Sequence, residues 1–146
     1  MKKVKDYLNN LFKKLYNRFF RKSGLCGFND LVFNPHRGFS GGAIQAKLTF
    51  GWRNKYNFDQ FTISVVQNVG GGTGLYGHEK DGNYEVAMWF QDKMLPLSVG
   101  DDVLGWQTPS DITRLMHQAQ LNDFAWVCLL QNLRDDFNKE FDLIHA

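Results

Sequence analysis

Cysteine is scarce in this chain. There are two, Cys26 and Cys128, and no pair of Cys or His residues falls at a metal-ligand spacing. Two cysteines make no disulfide framework, so both read as reduced, partly buried thiols in a cytosolic protein. Long apolar runs are missing too: none approaches the roughly 18 residues that cross a bilayer. Lys13 and Lys14 interrupt the one stretch that begins like a secretory leader, after Met1 to Lys5. No Gly-Lys-Ser/Thr phosphate-loop ending, no nucleophile elbow around Ser40 or Ser98, and no HxxxH pair occurs. These absences remove zinc modules, bilayer-spanning helices and the common hydrolase and NTPase signatures. No catalytic residue, metal or cofactor is expected, and a binding role outranks an enzyme.

What is present is globular. A hydrophobic content of 43% and a charged content of 22% suit a folded domain, and 146 residues favour one. A chain of that size removes roughly 68–70% of its unfolded surface from water. Aromatics reach 15%, enough to serve both a core and a sticky surface.

The formal charge of +2 hides an asymmetry. Residues 1–22 carry eight Lys/Arg against Asp6, a net +7, and the remaining chain carries a net −5. Val4, Tyr7, Leu8, Leu11, Phe12, Leu15, Tyr16 and Phe19 recur at helical spacing, so residues 2–22 are expected to form a basic amphipathic helix. Gly24 suits its end. Such a helix fits three settings: docking on its own domain or on a second copy, lying on an anionic membrane, or binding nucleic acid through Lys2 to Lys22.

The domain is expected over residues 24–146. Strands are predicted at 25–34, 43–50, 60–67 and 83–91, with a short return strand at 94–97. The clearest is Asn83 to Gln91, where Tyr84, Val86, Met88 and Phe90 alternate with Glu85, Ala87 and Trp89. An acidic loop is expected from Val99 to Gln107. Thr108-Pro109-Ser110-Asp111 has the chemistry of a helix start, and a second helix follows from Asn122-Asp123 to about Phe141. The order predicts an α+β fold: an antiparallel four- to five-stranded meander with an N-terminal helix and two C-terminal helices packed on it.

Two sets of site residues stand out. Trp52, Arg53, Tyr76, Trp89, Asp101, Asp102 and Trp106 are of the kinds that anchor interfaces or rim them. Asp101-Asp102 equally suits a turn that bonds its own backbone. Gly71, Gly72 and Thr73, with His36 and His78 from loops at one end of a meander, form an alternative small-ligand site for a signalling nucleotide. A phosphate cradle needs a helix after the glycines, whereas a strand follows here, so a mobile connecting loop is the stronger expectation.

The series Phe28-Asn29-Asp30-Leu31-Val32-Phe33-Asn34-Pro35-His36, Ala43-Ile44-Gln45-Ala46, Gly74-Leu75-Tyr76-Gly77, Tyr84-Glu85-Val86-Ala87 and Asp101-Asp102-Val103-Leu104-Gly105 resembles a group of small bacteriophage proteins. The resemblance covers roughly residues 28–119. The basic arm, the last helix and the Gly77-His78-Glu79 insertion depart from it. Its motifs are not catalytic, and no residue role transfers. It implies a phage origin, and with it a protein in the host cytoplasm that binds and inhibits a host or defence protein, of the anti-CRISPR or another anti-defence type.

Overall fold

The structure, a computed structural model, describes residues 4–8, 24–39, 41–51, 61–98, 101–121 and 123–145, the last stretch with only part of its side chains. Six strands form one antiparallel sheet: β1 (Asn34–Pro35), β2 (Ala43–Phe50), β3 (Phe61–Asn68), β4 (Tyr84–Phe90), β5 (Lys93–Met94) and β6 (Leu104–Gln107). They run as a meander from β1 to β5, and β6 returns to β4 beyond β5. Two helices follow, α1 (Pro109–Leu121) and α2 (Asp123–His145). The fold is α+β, with one strand more than the sequence predicts.

Alternation decides the inner face. Ala46 and Phe50, Phe61, Ile63 and Val65, and Val86, Met88 and Phe90 lie in register across the three long strands and are buried. Ile112, Met116 and Ala119 of α1, at helical spacing, close over them, and α2 adds Val127. The start of α1 is capped as its sequence predicts. The Asp111 N–H donates to Thr108 Oγ1, and the Asp111 carboxylate accepts from the Thr108 N–H and hydroxyl. Those bonds hold the Asp111 carboxyl below its ordinary range.

The predicted strand over 25–34 is corrected. Only Asn34–Pro35 pairs, and Phe28–Asp30 is a 3-10 turn. The backbone there finds side-chain partners instead of a neighbouring strand. Gly27 N–H donates to the Asp30 carboxylate, and Phe28 N–H to Thr113 Oγ1. Buried Gln120 accepts from the Cys26 N–H and donates to the Cys26 carbonyl. The segment is thus a strap tied to α1, satisfying its polar groups there. Cys26 and Cys128 are free thiols.

The acidic loop predicted from Val99 to Gln107 is corrected in its second half, where β6 pairs Leu104 with Val86 and Gln107 with Tyr84. Of the N-terminal helix, residues 4–8 are helical, with Val4, Tyr7 and Leu8 exposed; the rest of that prediction lies outside the described residues. Among the described residues, no helix is long and apolar enough to cross a membrane.

Candidate functional site

The outer face of the sheet is built differently. Two loops cover its β1–β2 end, and they interlock through backbone. A Cβ on Gly41 would stand 2.7 Å from the Gly71 carbonyl oxygen, and one on Gly72 would collide with the Gly42 carbonyl. Val69 N–H donates to Gly42 O across this seam. The glycine density of 70–74 therefore serves close approach between loops. Ala43, Val66 and Leu75 make a small second core under them, with Phe39 against it.

Asn68, at the end of β3, anchors the glycine loop. It is 2% exposed. Its Oδ1 accepts from the Leu75 N–H, and its Nδ2 donates to the Leu75 carbonyl at 2.7 Å. The same Nδ2 lies 3.2 Å from His78 Nδ1. An amide nitrogen only donates, so His78 Nδ1 is the acceptor and the neutral ring carries its proton on Nε2.

This brace fixes an aromatic ledge. Tyr76 and Trp106 meet edge to face at 6.0 Å, and His78 lies 5.5 Å from the Trp106 ring. Tyr76 is 55% and Trp106 53% exposed. Trp106 has φ +59, left-handed backbone that a large L residue seldom occupies, costing of order 1–3 kcal/mol. The conformation is held by its N–H, which donates to the Tyr76 carbonyl at 2.8 Å. Gly105 lets the two segments touch, since a Cβ there would stand 2.7 Å from Tyr76 Cβ.

Beside the ledge a cavity of about 170 Å³ opens on the outer face. Phe39, Val66, Leu75, Ala87 and Val103 supply apolar wall, and His36, Ser64 and Glu85 supply polar groups. Ser64 Oγ accepts from Gln45 Nε2. Burial first, and the Asp101 charge second, push the Glu85 carboxyl above its ordinary range. Ser, His and Glu lining one cavity invite a nucleophile reading, yet no hydrogen bond links the three. On the other flank, a hollow of about 510 Å³ is lined by Asn68, Gly70, Gly72, His78 and the acid-rich turn Glu79–Asp81.

The residues singled out from sequence are thus distributed unevenly. Tyr76 and Trp106 come together, and His78 joins them. Trp89 is half-buried on the outer face near the far end of β4, paired across to Met94 and Thr62. Five residues of strand, roughly 17 Å, separate it from Tyr84. Asp102 faces its own domain, its carboxylate paired with Arg134 of α2 at 3.0 Å, and Arg134 also donates to the carbonyls of Ser98 and Asp101; the exposed Asp101 carboxylate accepts from the Val103 N–H. Gly72 and His78 share the larger hollow, while His36 lines the smaller cavity, so the two histidines do not meet in one pocket. Gly71 and Thr73 are exposed loop positions lining neither space. Trp52 and Arg53 lie outside the described residues.

Glu85, Asn68 and Arg134 escaped the sequence-level selection. Arg134 left a signal: it continues the Val127, Leu130 spacing, where an arginine on the inward phase of a helix needs acceptors. Among the described residues, no three His, Cys, Asp or Glu side chains group as metal ligands. Comparison with known proteins finds no matching family model, no matching curated protein and no matching solved structure, so the functional reading rests on the residues themselves.

Proposed function

We propose that this chain is a binding protein that inhibits its partner by surface complementarity. Its anchors are Tyr76, His78 and Trp106, and its partner is a protein with a basic surface. The observation that carries this is the ledge: two large aromatics, each more than half exposed, set edge to face with Trp106 on a strained backbone. Rigid amphipathic rings of this kind lose little entropy on contact and act as interface anchors. Carboxylates flank them, Glu79 and Asp81 on one side and Glu85 and Asp101 on the other. Residues 23–146 carry a net −5. Trp and Tyr faces ringed by negative charge favour arginine and lysine through cation–π and Coulomb attraction. The phage-like motif series makes a host or defence-system protein, of the type an anti-CRISPR blocks, the partner to test first. A cytoplasmic site of action belongs to the same proposal.

Tagged protein should retain one stoichiometric, basic partner from host lysate, released by raised salt and lost on Trp106→Ala or Tyr76→Ala. Retention of that partner in wild-type amounts by both variants would sink the proposal.

A small-ligand role has one observation in its favour, the hollow that unites Gly70, Gly72 and His78. It ranks second, because Glu79 and Asp81 line the same hollow and Lys80 is its one cationic side chain, a poor balance for phosphates. Thermal shift against nucleotides separates the two, since a ligand at 100 times its Kd adds about 2.7 kcal/mol. The exposed Val4, Tyr7 and Leu8 favour an external contact for the basic arm, and flotation with anionic vesicles tests a membrane as that contact.

A further inference from the structure

We propose that the outer-face cavity is a receptor for one lysine side chain of the partner, with Glu85 as the counter-charge and Val66, Leu75 and Ala87 as the sleeve for its methylenes. This rests on the proposal that the chain binds a basic protein surface, and it names the chemical group recognised.

Three observations converge on it. The first is size. A space of about 170 Å³ is close to the roughly 150 Å³ that accommodates one benzene-sized guest, and an n-butylammonium group is of that order. The second is chemistry. Glu85 stands on β4 between apolar neighbours on the outer face, with no hydrogen bond or ion pair to a described residue. A half-buried carboxylate without a counter-ion is costly, and an ammonium inserted beside it offsets that cost. Burial pushes its carboxyl up, as expected for a charge awaiting a partner. Asp101 adds negative charge nearby, and the Arg134 guanidinium is engaged through Nη2 with Asp102 and the Ser98 and Asp101 carbonyls. The third is placement. Leu75 and Val103 line the cavity, one and three positions along the chain from Tyr76 and Trp106, so the cavity and the ledge are built from the same two segments. One basic segment can lay an apolar or cationic residue on Trp106 and drop its lysine beside Glu85.

Ser64 fits this arrangement. Its Oγ accepts from Gln45, so it adds a polar rim to the cavity and brings no positive charge that would compete for Glu85. The apolar sleeve selects an aliphatic stem, and the single carboxylate selects an ammonium over an anion.

The test uses the intact protein, labelled with ¹⁵N, titrated with n-butylammonium chloride, with 1-butanol and sodium butyrate as uncharged and oppositely charged controls. Saturable amide shifts centred on Val66, Leu75 and Glu85 are expected with butylammonium alone, weakened by about tenfold or more in Glu85→Gln. Glu85→Gln keeps the shape, and its unperturbed spectrum elsewhere verifies the fold. N-acetyl-lysine amide should reproduce the shifts, which assigns the site to a protein side chain; butylammonium binding without it would overturn the lysine assignment. Equal shifts with butanol, or an unchanged butylammonium affinity in Glu85→Gln, would overturn the site itself. In either case a partner still captured through Trp106 leaves the proposed function standing, whereas loss of Trp106 dependence with intact butylammonium binding removes that function and not the cavity.

Discussion

The two faces of the sheet obey different rules. On the inner face, Phe61, Ile63, Val65, Val86 and Met88 are sealed from water beneath Ile112 and Met116 in one apolar cluster. On the outer face, the same strands present Ser64, Glu85 and Ala87 under loops whose fit depends on glycine backbone and on one buried asparagine. The inner face supplies the free energy of folding. The outer face uses that rigidity to hold groups that add little to stability: two exposed rings, a carboxylate with no ion pair among the described residues and a histidine of fixed tautomer. Function is sought where side chains are positioned firmly but remain unsatisfied by their own fold.

Truncating the inner face should give the largest effect. Phe61→Ala is expected to cost about 3–5 kcal/mol in chemical denaturation, because Phe50 and Phe90 both pack on that ring. A smaller loss would mean that the core is less closely packed than the register implies.

Asn68→Ala comes next and joins the two faces. It strands the Leu75 N–H and carbonyl in a buried place, at about 1–3 kcal/mol. It also unties His78, so amide exchange should accelerate from Leu75 to His78 while β2 and β4 keep their protection. Uniform loss of protection would show that the glycine loop is not a separate unit.

Arg134→Met should cost about 1–2 kcal/mol by removing the charged donor to Asp102 and two carbonyls. The partner should still be captured, because Tyr76 and Trp106 keep their contact. Loss of capture at unchanged stability would bring Asp102 into the interface as well.

Glu85→Gln should give the smallest effect at neutral pH, within about 0.5 kcal/mol and on the stabilising side. The sign follows from linkage. Folding raises this carboxyl, so the folded state holds its proton more tightly than the unfolded state does. Its contribution is therefore most favourable at acidic pH, below the unfolded value, and declines as pH rises through the folded one. The gain of the glutamine variant over wild type should fade on acidification, and a gain that grows instead would contradict the burial of Glu85.

Much of the inner face was legible beforehand. Period-two alternation located β2, β3 and β4 within a residue or two, and Thr108-Pro109-Ser110-Asp111 located the start of α1. The strap at 25–31 was not legible, because its apolar residues mimic a strand while its hydrogen bonds go to Gln120 and Thr113, up to 94 positions away. β6 was hidden for a related reason: four residues containing Gly105 and a left-handed Trp106 carry no strand signature until Tyr76 and β4 are beside them. Of the site, residue type pointed to Tyr76, Trp106 and His78 separately. Only long-range packing could say that they meet, that Trp89 stands apart, and that Asp101 and Asp102 are tied to α2.

Trp106→Gly offers the most direct measurement. Glycine adopts the left-handed backbone at no steric cost, so relief of strain offsets the lost ring contacts and the melting temperature should stay within a few degrees of wild type. Captured against the same lysate, or against the isolated partner, the variant should bind at least about tenfold more weakly. A variant that is equally stable and binds as tightly as wild type would show that the aromatic ledge is not the contact.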